Sequence, residues 1–235
     1  MKTVILIGAK GFVGSCIAVE LQEYNVISVC REDPLQSLIT KGDIVIHCAN
    51  SGKRYYGNHH PEFDYKESVE KTQQILDWCN PSQKFILISS VSARIESDTV
   101  YGQNRLKCEQ LVSNHINTKN NYLIVRLNAM YSDTKSSGPL YDLINDNTVY
   151  IGSSSEVSFM PLSYVGHKIA QMLDETGNIE LSGRGYVTLQ YIKDEIGSKT
   201  TFLGEPQHSK GIVDIEEAPL TTDAIEWCKS QKDCS

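Results

Sequence analysis

Short apolar runs alternate with longer amphipathic stretches through the first half of the chain. Val4-Ile5-Leu6-Ile7 predicts an opening strand, and residues 14–24 a helix that turns Ile17, Ala18 and Leu21 inward. Strands are predicted over 26–30 and 43–49, the latter a continuous apolar run of the kind buried on both faces in a parallel sheet. A helix over 64–79 carries Val69, Ile75, Leu76 and Cys79, and Asn80-Pro81 stops it. A strand over 85–89, a helix over 102–115 and a strand over 122–127 follow. Strands separated by helical patterns predict βαβ units and a Rossmann-type, doubly wound parallel α/β sheet.

Beyond about residue 132 the pattern loosens. A polar loop over 133–138, short strands over 157–162 and 187–189, and helices over 164–174 and 189–197 are predicted, with an acidic and then helical tail beyond 214. Residues 132–157 and 176–235 are thus expected to form a small C-terminal substrate lobe on a single nucleotide-binding domain.

The turn after the first strand reads Gly8-Ala9-Lys10-Gly11-Phe12-Val13-Gly14. In a dinucleotide fold the first glycine makes the tight turn and the second lets backbone approach the pyrophosphate. The third brings helix and sheet together, and the helix N-terminus faces the phosphates. A glycine motif alone is weak, but between a first strand and a helix it is specific. An acid would ordinarily close the second strand and grip the adenosine ribose. Here the strand ends in Val29-Cys30-Arg31, with Glu32 and Asp33 lying past the expected contact point. Arg31 and Lys10 could instead hold a 2′-phosphate, which favours NADP, with NAD as the alternative; otherwise both are solvated surface charges.

Composition changes the picture little. The chain has 235 residues, 40% hydrophobic and 22% charged, enough for a sizeable core. A net charge of −7 argues against nucleic acid or an anionic membrane as partner. No run approaches the roughly 18–20 apolar residues of a membrane span, and the opening apolar run is too short for a signal peptide. Seven scattered cysteines show no metal spacing, which suggests reduced thiols, a cytoplasmic location and no metal site.

The glycine spacing, the strand Asp43-Ile44-Val45-Ile46-His47-Cys48-Ala49, and Ile88-Ser89-Ser90 followed by Val100-Tyr101-Gly102 together resemble the extended short-chain dehydrogenase/reductase superfamily. This is the NAD-dependent epimerase/dehydratase group, which typically acts on nucleotide sugars. The resemblance extends over nearly the whole chain, including Arg126-Leu127-Asn128-Ala129-Met130-Tyr131 and Phe159-Met160-Pro161. It implies a catalytic Ser, Tyr and Lys, the Lys four residues after the Tyr. The Tyr exchanges a proton with the substrate oxygen, the Ser binds that oxygen, and the Lys holds the nicotinamide ribose.

Ser90 and Tyr101 match the first two roles, but Arg105 stands where the family has Lys. Arg keeps the charge with a bulkier, planar head, and Lys107, about 200° round the helix, is a poor substitute. Full activity, weakened activity and a non-catalytic NADP-binding regulator or redox sensor all follow from that change. Retention of Ser90 and Tyr101 favours the first. A structural protein with an empty cleft is the blandest alternative.

The candidate cofactor contacts are Gly8, Lys10, Gly11, Phe12, Val13, Gly14, Arg31, Cys48, Ala49 and Asn50, with Tyr101 and Arg105 added by the resemblance. Ser51, Lys53, Arg54, Ser90 and Asn128 are candidate substrate contacts, although 51–60 reads equally as a mobile polar loop. Ser68 occupies the family's usual Asn position, and the short 31–42 connection implies a missing strand–helix unit. His59-His60 lacks a third ligand, and His47 in an apolar strand fits a hydrogen-bonded core residue. The implied reaction is reduction or epimerisation of a keto group on a nucleotide-linked sugar. In this superfamily the two long helices often form a homodimer face.

Overall fold

The computed structural model describes residues 1–115, 117–118, 121–212 and 217–233. Among them a sheet of six strands forms around β1 (Thr3–Ile7), β2 (Asn25–Val29), β3 (Ile44–His47), β4 (Lys84–Ser90), β5 (Tyr122–Leu127) and β9 (Gly177–Leu181). The order is β2-β1-β3-β4-β5-β9, and β2, β1, β3 and β4 pair in parallel. The chain runs from β1 outward to β2, then back past β1 to β3. This reversal opens a crevice at the carboxyl ends of β1 and β3, where open α/β sheets bind ligands.

The connections are α1 (Phe12–Glu20), α2 (Leu35–Ile39), α3 (Arg54–His59), α4 (Pro61–Tyr65), a π-helical turn (Lys66–Glu70), α5 (Lys71–Trp78), α6 (Ser92–Ile95) and α7 (Val100–Asn114). Ile5, Val45, Phe85, Leu87 and Ile124 from the strands pack with Ile75, Leu76, Cys108 and Val112 from α5 and α7. All of these are fully or almost fully buried, as a parallel sheet covered on both faces requires.

Contacts divide the chain into Met1–Arg126 with Val165–Ile179, and Leu127–Tyr164 with Glu180–Ser235. The second unit contains β6 (Ala129–Tyr131), α8 (Pro139–Ile144), β7 (Glu156–Val157), β8 (Phe159–Pro161), β10 (Val187–Thr188), α10 (Leu189–Glu195) and α11 (Asp223–Asp233). Its own core gathers Leu143, Val149, Phe159, Leu189, Ile192, Ala224 and Cys228. Helix α9 (Leu162–Gln171) precedes β9.

Several elements differ from the periodicity. The helix expected over 14–24 runs from Phe12 to Glu20, and Leu21, buried as expected, is its C-cap with backbone outside the helical region. The continuous helix expected over 64–79 is three segments with a π turn in the middle, and it starts at Pro61. Part of the stretch read as a polar loop over 51–60 is helix α3. Its Tyr55, Tyr56, His59 and His60 are exposed, so it shows no buried apolar period. The strand expected over 157–162 is two short strands, β7 and β8. The start of the predicted tail, 214–216, lies outside the described residues; α11 follows it.

Candidate active site

The glycine turn is built as its spacing demands. Gly8 has φ +86°, and a Cβ there would sit 3.0 Å from the Ala49 amide. Gly11 N–H donates to Gly8 O at 2.9 Å, and a Cβ on Gly14 would overlap that same carbonyl. Gly11 caps α1 without a side-chain hydrogen bond. The first amides of a nine-residue helix thus face an exposed glycine edge, a cradle that fits a pyrophosphate. Phe12 and Val13 are half-buried behind it and Lys10 is exposed.

Across the crevice, Cys48 N–H donates to Ile7 O at 2.9 Å. Burial pushes the Cys48 thiol well above its ordinary range. Asn50 reaches β4 by donating from Nδ2 to Ile88 O at 3.4 Å. At the end of β2, Arg31 is exposed and lies 3.5 Å from Glu67, which Lys71 also holds at 2.5 Å. Asp33 folds back so that its carboxylate accepts the Cys30 amide at 2.6 Å. The acid expected to lie past the strand end therefore returns to it.

Ser90 ends β4 and donates to Ser92 Oγ at 3.2 Å. Thr99 caps α7 by accepting the Gly102 N–H at 3.0 Å. A Cβ on Gly102 would overlap Glu96 O and come within 2.8 Å of Ser92 O, so glycine lets α7 start hard against α6. This places Tyr101 beside Ser90, a hydrogen-bonding neighbour of its phenol. The Tyr101 N–H donates to Asn58 Oδ1 at 2.8 Å, which ties α7 to α3.

Arg105 is 2% exposed. Its guanidinium carbon sits 4.8 Å from the centre of the Tyr101 ring. Nη2 donates to Ser68 Oγ and lies 3.6 Å from Asp64 Oδ1. Asn104 Nδ2 donates to Asp64 Oδ2 at 2.9 Å. Arg105 is thus held by a buried carboxylate and the π turn, where the Lys role called for a cation against a ribose. Burial raises the Tyr101 phenol above its ordinary value, and Asp64 and Glu96 add to this, while Arg105 and Ser90 oppose it. The protonated phenol is thus favoured.

The remaining candidates are dispersed. Ser51 is half-buried, and Lys53 is an exposed residue at the start of α3. Arg54 pairs with Glu96 at 2.7 Å. Asn128 lies in the second unit with its amide saturated. Its Nδ2 donates to Ser182 Oγ and Ser209 O, both at 3.1 Å, and its Oδ1 accepts Ser209 Oγ at 2.6 Å and the Ala129 amide at 2.8 Å. Both polar atoms of the Asn128 side chain are thus engaged within the second unit. His47 is buried, 3.2 Å from Thr72 Oγ1. His59 and His60 stack on Tyr55 and Tyr56, and no group of metal-ligating side chains occurs among the described residues.

Sequence reasoning missed Asp64, Asn104 and Asn58. The signal for Asp64 was present: a buried arginine needs a counter-charge, and Asp64 and Ser68 stand four apart on the helical segment facing it.

Residues 4–145 match the NAD dependent epimerase/dehydratase family. No curated protein matches the chain. Among solved structures, UDP-glucuronic acid 4-epimerase from Bacillus cereus, in complex with UDP-glucuronic acid and NAD, superposes with TM-score 0.80 at 19% identity over 99% of both chains. The dTDP-4-dehydrorhamnose reductase from Bacillus anthracis, in complex with NADP, gives 0.78 at 16% identity over 96% of both. UDP-N-acetylglucosamine 4-epimerase from Methanobrevibacter ruminantium, in complex with UDP-N-acetylmuramic acid, gives 0.75 at 14% over 99% of this chain and 97% of that one. Identities this low establish the shared Rossmann-type fold, and the family match supplies the rest: the chain belongs to the NAD dependent epimerase/dehydratase family.

Proposed function

We propose that the protein is an NADP-dependent reductase of a keto group on a nucleotide-linked sugar. The observation that carries this reading is the placement of the Tyr101 phenol beside Ser90 at the carboxyl end of β4, on the same sheet end as the glycine turn. A neutral phenol is equipped to give a proton, which a carbonyl needs as it becomes a hydroxyl. Burial of the phenol favours its protonated form, which favours giving a proton over taking one from a hydroxyl.

Gly8, Gly11, Phe12, Val13 and Gly14 would cradle the pyrophosphate, with Cys48, Ala49 and Asn50 lining the opposite wall. Lys10 and Arg31 are the exposed cations available to a 2′-phosphate. When bound, the nicotinamide supplies hydride to the carbonyl carbon. Ser90 donates a hydrogen bond to the carbonyl oxygen. Tyr101 gives that oxygen its phenolic proton and recovers one from solvent. Ser51, Lys53 and Arg54 are assigned to the substrate's phosphates.

Replacement of Tyr101 by Phe tests the assignment with NADPH and a panel of keto nucleotide sugars. Turnover should fall at least ~100-fold, the low end of what a positioned proton donor contributes, while NADPH binding stays intact. Unchanged turnover would contradict the assignment.

A further inference from the structure

Asp64 is the least expected residue near Tyr101. It is fully buried, and it sits on α4 directly before the π turn that carries Ser68. Its two oxygens are divided: Oδ2 accepts from Asn104, and Oδ1 faces Arg105 with no hydrogen-bond partner among the described residues. Arg105 Nε is likewise buried without a partner. The pair is therefore held by charge and packing more than by a full set of hydrogen bonds. Even Gly57 serves the arrangement, since a Cβ there would come within 2.9 Å of Asp64 Oδ1.

A buried guanidinium 4.8 Å from a tyrosine ring should draw that phenol toward ionisation. It fails to dominate here: burial of the phenol is the larger influence, and the opposite charge of Asp64, 3.6 Å from the guanidinium on the side of α4, adds to it. The groups facing Tyr101 are Arg105 from its own helix, Asp64 from α4, Glu96 at the end of α6 and Ser90 from β4. Glu96 is itself partnered with Arg54 at 2.7 Å, and burial raises its carboxyl. Asp64 is thus the charge set directly against Arg105.

We propose that Asp64 is a positioning residue for Tyr101: it clamps the Arg105 guanidinium against the Tyr101 ring and offsets its charge. This rests on the reading of Tyr101 as proton donor, but it makes a claim about the free protein that can be tested apart from turnover.

The test is a pH titration of the protein carrying carbon-13 at the tyrosine hydroxyl-bearing carbon. The Tyr101 signal is the one missing from Tyr101→Phe. In Asp64→Asn the Tyr101 phenol should ionise at lower pH by about one unit, a tenfold change in its ionisation constant. Asp64→Glu should restore the original midpoint. Arg105→Gln should move it the opposite way. Should a single variant not fold, the neutral double variant Asp64→Asn with Arg105→Gln serves, and its midpoint should match the wild-type protein. An unmoved midpoint in folded Asp64→Asn, or a double-variant midpoint displaced by a unit or more, would overturn the inference. If the midpoint shifts but Tyr101→Phe retains turnover, the proton-donor reading fails and the clamp survives. The reverse pattern removes the clamp alone.

Discussion

Arg105 shows how one substitution changes meaning with burial. On an exposed helix it would be a solvated cation; here it is locked to Asp64 and Ser68 and packs on Tyr101. The same interior governs His47. Burial, then the nearby Lys71 and Arg105 charges, lowers its imidazole from 6.5 to about 3. The unfolded chain takes up that proton near pH 6.5 and the folded chain only near 3, so stability is full above the upper value and is lost as pH falls between them. The slope from this one group is about 1.4 kcal/mol per pH unit. Denaturant unfolding across that range should show it, and His47→Gln should flatten the curve by one proton. An unaltered slope in the variant would contradict this account of His47.

The glycine turn is the element on which the proposed cofactor binding depends. Gly14→Ala forces a methyl into the Gly8 carbonyl. The expected cost is roughly 1–3 kcal/mol of stability, with loss of NADPH binding. Calorimetric titration and thermal unfolding of the variant check both; retained affinity would show that the turn does not hold the phosphates. This turn was legible in the sequence because its function is written in backbone requirements that only glycine meets. Strand β5 was legible to the residue, because its buried Leu123-Ile124-Val125 show as a plain apolar run. The π turn was not, since one extra residue in a helical repeat leaves the apolar pattern almost unchanged. Helix α3 was hidden for the opposite reason: its aromatic side chains face solvent and so trace no buried stripe. The Asp64–Arg105 pair joins positions 41 apart, and no local pattern announces such a partner.

At the scale of the molecule, the order β2-β1-β3-β4-β5-β9 leaves β2 at the sheet edge. The short connection through α2 holds no strand outside it, as the brevity of 31–42 predicted. The family match places the chain in the NAD dependent epimerase/dehydratase family, and the proposed direction of its chemistry rests on the site residues. That direction is the central claim, and a labelled hydride tests it most directly. The protein is supplied with NADPH carrying deuterium at the transferred position and with keto nucleotide sugars, and the products are weighed by mass spectrometry. A reductase places one deuterium on carbon in each product molecule, and the Tyr101→Phe variant forms almost none. Product that forms without deuterium, or with deuterium at the same rate in Tyr101→Phe, would contradict the account.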